Sequence, residues 1–569
     1  MADSILTEDV GQTLEDRKGS TPFGTAPLGR RKIGTRTSFV SVKYFHYNKQ
    51  NFGVPTNVNP GKFTNDDLFG VTTGIIEEEV LSMKLNKNLS GASGTFDLRL
   101  TPTKNWKTIL SPGDWVAIYI HDRYKASTEG FIGPQPADTP KNLIMLGNID
   151  RISRSLQKGD DNTDKVKLEY VVSGRNFGKV FEDTEIWFDP YVTQDNTLDV
   201  MLRTAGLELV GSPSDQTKQI LRIFLGQGAN LPRGSTRALN QWKIPAELAR
   251  LFGGDTTTLF YSILKQAIVS KLPGFKARTM LSPESSGSIW GALQKSANLL
   301  VNEIFLEEVR DSTGSAYPTI VCRPRPLQTP FFKSQFGDEA DAILPSLNGK
   351  FQSLQNLATT SFVEISSAEV IYEDLGKDDH SRLNMYWLHV QQSYECAYTK
   401  ASNLNVVGLM NPTFNRPQIM RYGLKRFDQT LDFSFAQDAS GTATQSPEPN
   451  ITIFKAFMAQ VYDQNYANHL YDVGTITTTG VLEAELGKAL VVKADQNVAG
   501  ARDKVYYIEG YSHEWTFPST WKTTFTLTHG QFIDPNGNIF IDAIRPGDFG
   551  QADVGLQTTY LSKTKTERG

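Results

Sequence analysis

Apolar and polar residues alternate along several stretches of the chain, and that alternation defines strands first. In SGTFDLRL, Phe96, Leu98 and Leu100 alternate with Thr95, Asp97 and Arg99; in KVKLEYVV, Val166, Leu168, Tyr170 and Val172 alternate with Lys167 and Glu169. A period of two turns one set toward a core and the other toward water, so both stretches predict half-buried antiparallel strands. Between them, SPGDWVAIYI puts a Pro-Gly turn ahead of a denser run from Trp115 to Ile120. That density predicts a barrel strand covered on most of both faces. The stretch 36–190 therefore predicts a small β-barrel domain.

The period changes in the middle of the chain. In DNTLDVMLRTAGLEL, Leu198, Met201, Leu202 and Ala205 fall at i, i+3, i+4 and i+7 behind an Asp-Asn-Thr cap, with Gly206 at the stop. That spacing predicts a helix. A second helix is predicted after Asp255, with Leu259, Phe260, Ile263, Leu264, Ala267 and Ile268 on one face and Pro273-Gly274 closing it. The stretch 191–317 is thus a partly helical insertion. Strand-like text resumes over 318–440 and ends at the linker AQDASGTATQSPEPN. A helix with Phe454, Phe457, Met458 and Val461 on one face then leads into a second β region, so 441–545 predicts a second barrel-like domain. Residues 1–35 and 546–569 are polar and read as an arm and a tail that order, if at all, on a partner. The predicted fold class is mainly β, two β-barrel domains with a partly helical α+β insertion between them. No repeat of 20 to 50 residues is present, which argues against a solenoid or propeller.

Composition narrows the function. A chain of 569 residues exceeds one ordinary core. Its 58 Lys and Arg against 62 Asp and Glu leave a net charge of -4, no general electrostatic claim on nucleic acid or an anionic membrane. Two cysteines, Cys322 and Cys396, make neither a disulfide scaffold nor a CxxC pair, and suit a reducing cytoplasm. No signal peptide and no apolar run long enough to span a bilayer is found, so no membrane anchor is expected.

The search for chemistry returns little. His513-Glu514 is half of a zinc-protease motif, but Trp515, Thr516 and Phe517 follow and the second histidine is missing. The glycines of GQGANLPRG, at 226, 228 and 234, fit neither a dinucleotide fingerprint nor a P-loop. Asp378-Asp379-His380 reads as an exposed turn rather than a metal corner, and Glu77, Glu78 and Glu79 as a solvated strand edge. No GxSxG is present. No catalytic, cofactor-binding or metal-binding residue is expected, and the chain is not expected to be an enzyme.

Four segments, in order, resemble the baseplate hub proteins of tailed bacteriophages, the family of the phage T4 hub: Ser93 to Ile120, Val171 to Trp187, Ile365 to Val390, and Val505 to Gly530. The resemblance implies two tube-like barrels per chain and a homotrimer in which six barrels surround a channel. In residue terms, Pro112, Gly113 and Asp114 match the family's turn into a barrel strand. Ser173, Gly174 and Arg175 match its turn after the closing strand. Tyr507, Glu509, Gly510, His513 and Trp515 match its late barrel strand, while Tyr511 stands where a small aliphatic residue is usual. These are architectural positions and bring no catalytic residue with them. The implied partners are further copies of the chain, a tail tube protein, a central spike protein, baseplate wedge or neighbouring tail proteins, and genomic DNA in transit. The implied location is the tail tip of the virion, with the host cytoplasm during assembly. A tail-associated cell-wall hydrolase and a glycan-binding receptor protein are the alternatives from other classes.

Overall fold

The fold is that of a computed structural model, which describes chiefly residues 38–47, 71–122, 140–158, 166–186, 213–225, 287–327, 360–390, 413–431, 460–494 and 502–533, with a few shorter pieces. The arm 1–35, the helix predicted around 198–206, most of the helix predicted after Asp255, the glycine loop 226–234, the linker 436–450 and the tail 546–569 lie outside the described residues.

The longer N-terminal elements are β1 (Ser38–Tyr47), β2 (Val71–Ile76), β3 (Val80–Asn88), β4 (Thr95–Leu100), β5 (Trp115–Asp122), β6 (Leu143–Lys158), β7 (Val166–Asn176) and the short helix α1 (Lys179–Asp183). The middle supplies α2 (Pro213–Leu225), α3 (Ile289–Ala297) and the hairpin β8 (Asn302–Arg310) and β9 (Ala316–Pro324). Then come β10 (Phe362–Ser366), β11 (Val370–Gly376), β12 (Met385–Val390), α4 (Arg416–Tyr422) and β13 (Arg426–Leu431). The C-terminal set is β14 (Asp472–Thr479), β15 (Ala489–Lys493), β16 (Lys504–Thr516), β17 (Thr520–Ile533) and β18 (Ile539–Phe540).

The described residues are mainly β. Fourteen strands form one sheet along the path β11-β14-β17-β16-β3-β4-β7-β6-β5-β1-β2, with β10, β15 and β18 attached to the C-terminal part. Seven of these strands, β1 to β7, come from the N-terminal region, and the other seven from beyond residue 361. The two arrays meet where β16 pairs antiparallel with β3, from Gly510 opposite Asn88 to Thr516 opposite Ser82.

β16 reaches both arrays by changing partner along its length. Its first residues, Lys504 to Tyr507, pair with β15, and its last seven pair with β3. The handover falls at a bulge against β17 between Ile508 and Gly510. An extra residue there bends the strand and leaves one carbonyl off the ladder. The Glu509 carbonyl accepts the Leu89 N–H at 2.8 Å, so the bulge is itself tied to the chain just past β3.

The inward face of the sheet carries one continuous core. Met83, Leu85, Phe96, Leu98, Val172, Trp515, Phe525 and Leu527 lie in it together. β4 keeps the alternation read from its sequence, with Phe96, Leu98 and Leu100 buried and Thr95, Asp97 and Arg99 exposed. β5 is buried on both sides: Val116, Ile118 and Ile120 join the sheet core, while Trp115, Ala117 and Tyr119 join a second core with α2 and α3. The β8–β9 hairpin lies between these two cores, Phe305 and Val321 in the first and Ile304, Leu306, Ile320 and Cys322 in the second.

Four sequence expectations need correction. Ser173, Gly174 and Arg175 are not a turn; they are the last part of β7, paired with Asp97, Phe96 and Thr95 of β4. Glycine is required there by packing: a Cβ on Gly174 would lie 2.2 Å from the Asn148 carbonyl and 2.5 Å from the Phe96 ring. Glu169, expected on the solvent side of β7, is buried and paired with Arg99 at 3.1 Å. Ile268, assigned to a helical face, sits in a two-residue strand parallel to β9, opposite Val321. The boundary at 317/318 also falls inside β9, because the hairpin begins well before it.

Candidate functional site

The alternation of β3 continues past its apolar residues: Met83 and Leu85 face the core, and the next residue on that side is Lys87. A buried ammonium demands compensation, since desolvation alone would strip its proton. β8 supplies it. Lys87 Nζ touches the carboxylates of Glu307 and Glu308, and all three side chains are almost completely buried. Glu307 also accepts the Leu486 N–H at 2.9 Å, the Glu308 N–H at 2.9 Å and the Tyr511 hydroxyl at 3.2 Å. Glu308 accepts the Leu146 N–H at 2.8 Å. One cluster therefore binds β3 and β6 of the N-terminal array, the middle hairpin, β16 and the segment before β15.

The protonation states follow from the donors. Burial opposes charge on Lys87, but the two carboxylates outweigh it and hold the ammonium well above its ordinary pKa. For Glu307, burial is opposed by Lys87 and by the Leu486 and Glu308 N–H groups, and the pKa falls below the usual range. Glu308 has fewer donors; burial and then the neighbouring Glu307 charge override Lys87 and raise it. Burial also raises Tyr511 far above an ordinary phenol, with Glu307 adding to the shift. A firmly protonated lysine sealed from water is a poor nucleophile and a poor base. The cluster is built to hold segments together.

A second buried pair lies alongside. The Arg323 guanidinium donates to Glu303 at 2.6 Å and also to the Gly487 carbonyl, and the Tyr507 hydroxyl donates to the other Glu303 oxygen. Arg323 and Glu303 face each other across the hairpin, and Tyr507 lies on β16. Glu485, also buried, accepts the Arg310 N–H at 3.2 Å and pairs with Lys488 at 3.0 Å; burial raises its pKa. The hairpin is thus fastened to the C-terminal array at Tyr507, Tyr511, Glu485, Leu486 and Gly487.

The residues singled out in the sequence fall into three groups. Pro112, Gly113 and Asp114 form the turn into β5: Gly113 has φ +93°, and its N–H donates to the Ile149 carbonyl at 2.8 Å. The Asp114 carboxylate accepts the Ser111 N–H at 2.7 Å and lies 2.8 Å from His46 Nδ1. Arg175 is a clamp, donating to Asp150 at 2.9 Å and Glu182 at 2.9 Å and reaching Asp183 at 3.3 Å, while Ser173 flanks it on β7. The two groups are linked through Asn148, which donates to the Gly113 carbonyl at 2.7 Å and stands opposite Arg175.

Tyr507, Glu509, Gly510, His513 and Trp515 all lie on β16. Trp515 donates its indole N–H to the Ser38 carbonyl of β1 at 2.9 Å. Glu509, at the bulge, accepts the Thr528 hydroxyl at 3.1 Å, and burial raises its pKa. His513 is 1 % exposed, and its Nδ1 lies 2.9 Å from Thr523 Oγ1. Burial, followed by the Lys87 and Arg310 charges, pushes its pKa down to about 3, so the ring is neutral at pH 7. Glu514 points the other way, to an exposed pair with Lys84 at 2.8 Å on the neighbouring strand. His513 and Glu514 thus face opposite sides of the sheet and share no site.

Asp378, Asp379 and His380 lie at an exposed turn, where Asp379 pairs with Arg382 at 2.6 Å and Lys425 at 2.5 Å. Those two cations hold the Asp379 pKa at about 2. Glu79 pairs with Lys104 at 2.5 Å. Among the described residues, no group of three or more His, Cys, Asp and Glu is placed to hold a metal ion. The members of the buried cluster, Lys87, Glu303, Glu307, Glu308, Arg323 and Glu485, were not among the candidates from sequence. A signal existed for Lys87, a lysine on the apolar face of an alternating strand.

No family model and no curated protein matches the chain. Among solved structures it is similar to a tail protein from Neisseria meningitidis MC58, at 12% identity over 86% of this chain and 96% of that one, with a TM-score of 0.41. It is also similar to the 43 kDa tail protein of prophage MuSo2 from Shewanella oneidensis, at 9% identity over 86% of this chain and 98% of that one, TM-score 0.39. A third likeness is to an E. coli component of the type VI secretion system, at 8% identity over 82% of this chain and 77% of that one, TM-score 0.32.

Proposed function

We propose that the chain is a structural hub of a bacteriophage tail, a homotrimeric ring that joins a six-fold tail tube to a three-fold central spike and leaves a channel for DNA. One observation carries this reading: seven strands from each end of the chain join edge to edge in one sheet across β3 and β16. A trimer of such chains presents six strand arrays, which lets one molecule meet six-fold symmetry on one side and three-fold on the other. The ordered sequence resemblance described above supports the same assignment. The buried cluster at Lys87 is the fastening that keeps the two arrays and the middle hairpin in fixed relation, a structural role.

The test is the mass and shape of the purified chain. Three copies of a 63.3 kDa chain give a particle of about 190 kDa. Light scattering should find that mass, and electron micrographs should show a ring with a central channel. A strictly monomeric chain that forms no ring with a tail tube or spike protein would refute the proposal. Clearing of cell-wall substrate by the isolated chain would favour the hydrolase reading instead.

A further inference from the structure

We infer that the exposed turn at the end of α4 is the docking surface for the acidic segment 3–16 of the same chain. Three of five consecutive residues there are large, apolar and open to water: Met420 is 87 % exposed, Leu424 61 % and Tyr422 46 %. Single exposed apolar side chains are ordinary, whereas a group of them marks a contact surface. The group is also held in place. The buried Asn384 donates its side-chain amide to the Gly423 carbonyl at 2.7 Å and accepts the Lys425 N–H at 2.8 Å, and its backbone N–H donates to the Lys425 carbonyl at 3.0 Å. Gly423, at φ +80°, closes α4 by donating its N–H to the Ile419 carbonyl at 2.9 Å. The Arg382 guanidinium lies over the Tyr422 ring, 3.7 Å from its centre. A surface fixed in this way loses little freedom when a partner binds it.

The charge around the turn selects the partner. The run from Arg416 to Arg426 holds four cations, Arg416, Arg421, Lys425 and Arg426, and no carboxylate. Arg382 adds another beside Tyr422. Asp379 pairs with Arg382 and Lys425, and Asp428 with Arg426, so the cations are in excess even with the neighbouring Asp378 included. A partner that fits carries apolar anchors among acids. The segment DSILTEDVGQTLED, residues 3–16, has that chemistry: Ile5, Leu6, Val10 and Leu14 stand among Asp3, Glu8, Asp9, Glu15 and Asp16, with no Lys or Arg. Residues 17–37 connect it to β1 and span about 70 Å when extended. A compact chain of this length has a radius of gyration of about 25 Å, so the segment can reach the turn of its own chain. Tethering supplies an effective concentration on the order of millimolar, at which a weak contact suffices.

The experiment is a photo-crosslink in the full chain, with p-benzoylphenylalanine in place of Leu6. Its excited ketone inserts into nearby C–H bonds and favours methionine side chains. After irradiation and proteolysis, mass spectrometry should find residue 6 joined to the peptide that contains Met420. When copies labelled with nitrogen-14 and nitrogen-15 are mixed, the two halves of the link should carry the same isotope. Met420→Ser with Leu424→Ser trims two exposed side chains and leaves the core alone, so this variant should melt as the parent does. It should lower the yield of the link by about fivefold, the effect of losing an anchor worth about 1 kcal/mol. Glu8→Gln with Asp9→Asn should lower the yield as well, as should a rise in salt, which screens the pairing of acids with the basic turn. Links to other segments, links that join two copies, no link at all, or a yield unmoved by the Met420 and Leu424 substitutions would each overturn the assignment.

Discussion

Replacing Lys87 by Met tests the buried cluster directly. The substitution keeps an unbranched side chain, one atom shorter, and removes the cation that touches both Glu307 and Glu308. Glu307 retains three donors, from Leu486, Glu308 and Tyr511, and stays ionised. Among the described residues Glu308 retains the Leu146 N–H alone, so it is the group that takes up a proton. Holding a glutamic acid neutral at pH 7.5, when the unfolded chain would ionise it near 4.3, costs about 1.4 kcal/mol per pH unit, or about 4 kcal/mol. That agrees with the 3–5 kcal/mol typical of removing one partner from a buried ion pair. The sign with pH follows: the folded variant binds more protons than the unfolded chain, so the penalty grows as pH rises and shrinks to about 1 kcal/mol at pH 5. Urea denaturation followed by the fluorescence of the buried Trp106, Trp115 and Trp515 reads the loss. Adding Glu308→Gln to Lys87→Met should restore most of it at pH 7.5. A cost below about 1 kcal/mol at pH 7.5, or one that does not vary between pH 5 and 7.5, would refute the sealed, charge-compensated cluster.

Two further substitutions probe the sheet. His513 is neutral in the fold with a pKa of about 3, so the unfolded chain takes the proton first as the solution is acidified. Its contribution should fall by about 1.4 kcal/mol per pH unit below about 6.5, and the wild type should lose about 2 kcal/mol relative to His513→Gln on going from pH 7 to pH 5. Parallel stability curves for the two proteins would contradict a neutral buried ring. Gly174→Ala puts a methyl group against the Asn148 carbonyl and the Phe96 ring, with no room to either side. Thermal melts should show a loss of about 1–3 kcal/mol, the range for overpacking, and an unchanged melting temperature would mean that β7 and β4 are not so closely packed.

The parts of the fold legible in the sequence are those where one face of a strand meets the core and the other meets water. β4 is the clearest, since each of its six residues takes the side that its polarity requires. β5 was legible for the converse reason: an unbroken apolar run signals cover on both faces, and the sheet core and the helical core provide it. The β8–β9 hairpin is covered in the same way, but Glu303, Glu307 and Glu308 interrupt its apolar text. Their compensation comes from Lys87, more than 200 positions away, and from Arg323 on the facing strand. Local spacing carries no trace of such pairings. The resemblance puts Gly174 in a turn, whereas its place in β7 is set by close packing against the Asn148 carbonyl and the Phe96 ring, which the sequence does not show. Tyr511 is visible in the sequence as a departure, but its role, donating its hydroxyl to Glu307, is a contact between distant segments that local spacing does not encode.

The split allegiance of β16 has a mechanical consequence. One backbone is laddered first to β15 and then to β3 on one flank, and to β17 on the other. Load placed on either array therefore passes to the other as tension along a single strand, with no linker to act as a hinge. Parting the arrays would mean unzipping seven residue pairs and exposing the Lys87 charges to a half-opened core. Wherever β16 bridges them, the two arrays therefore move as one body.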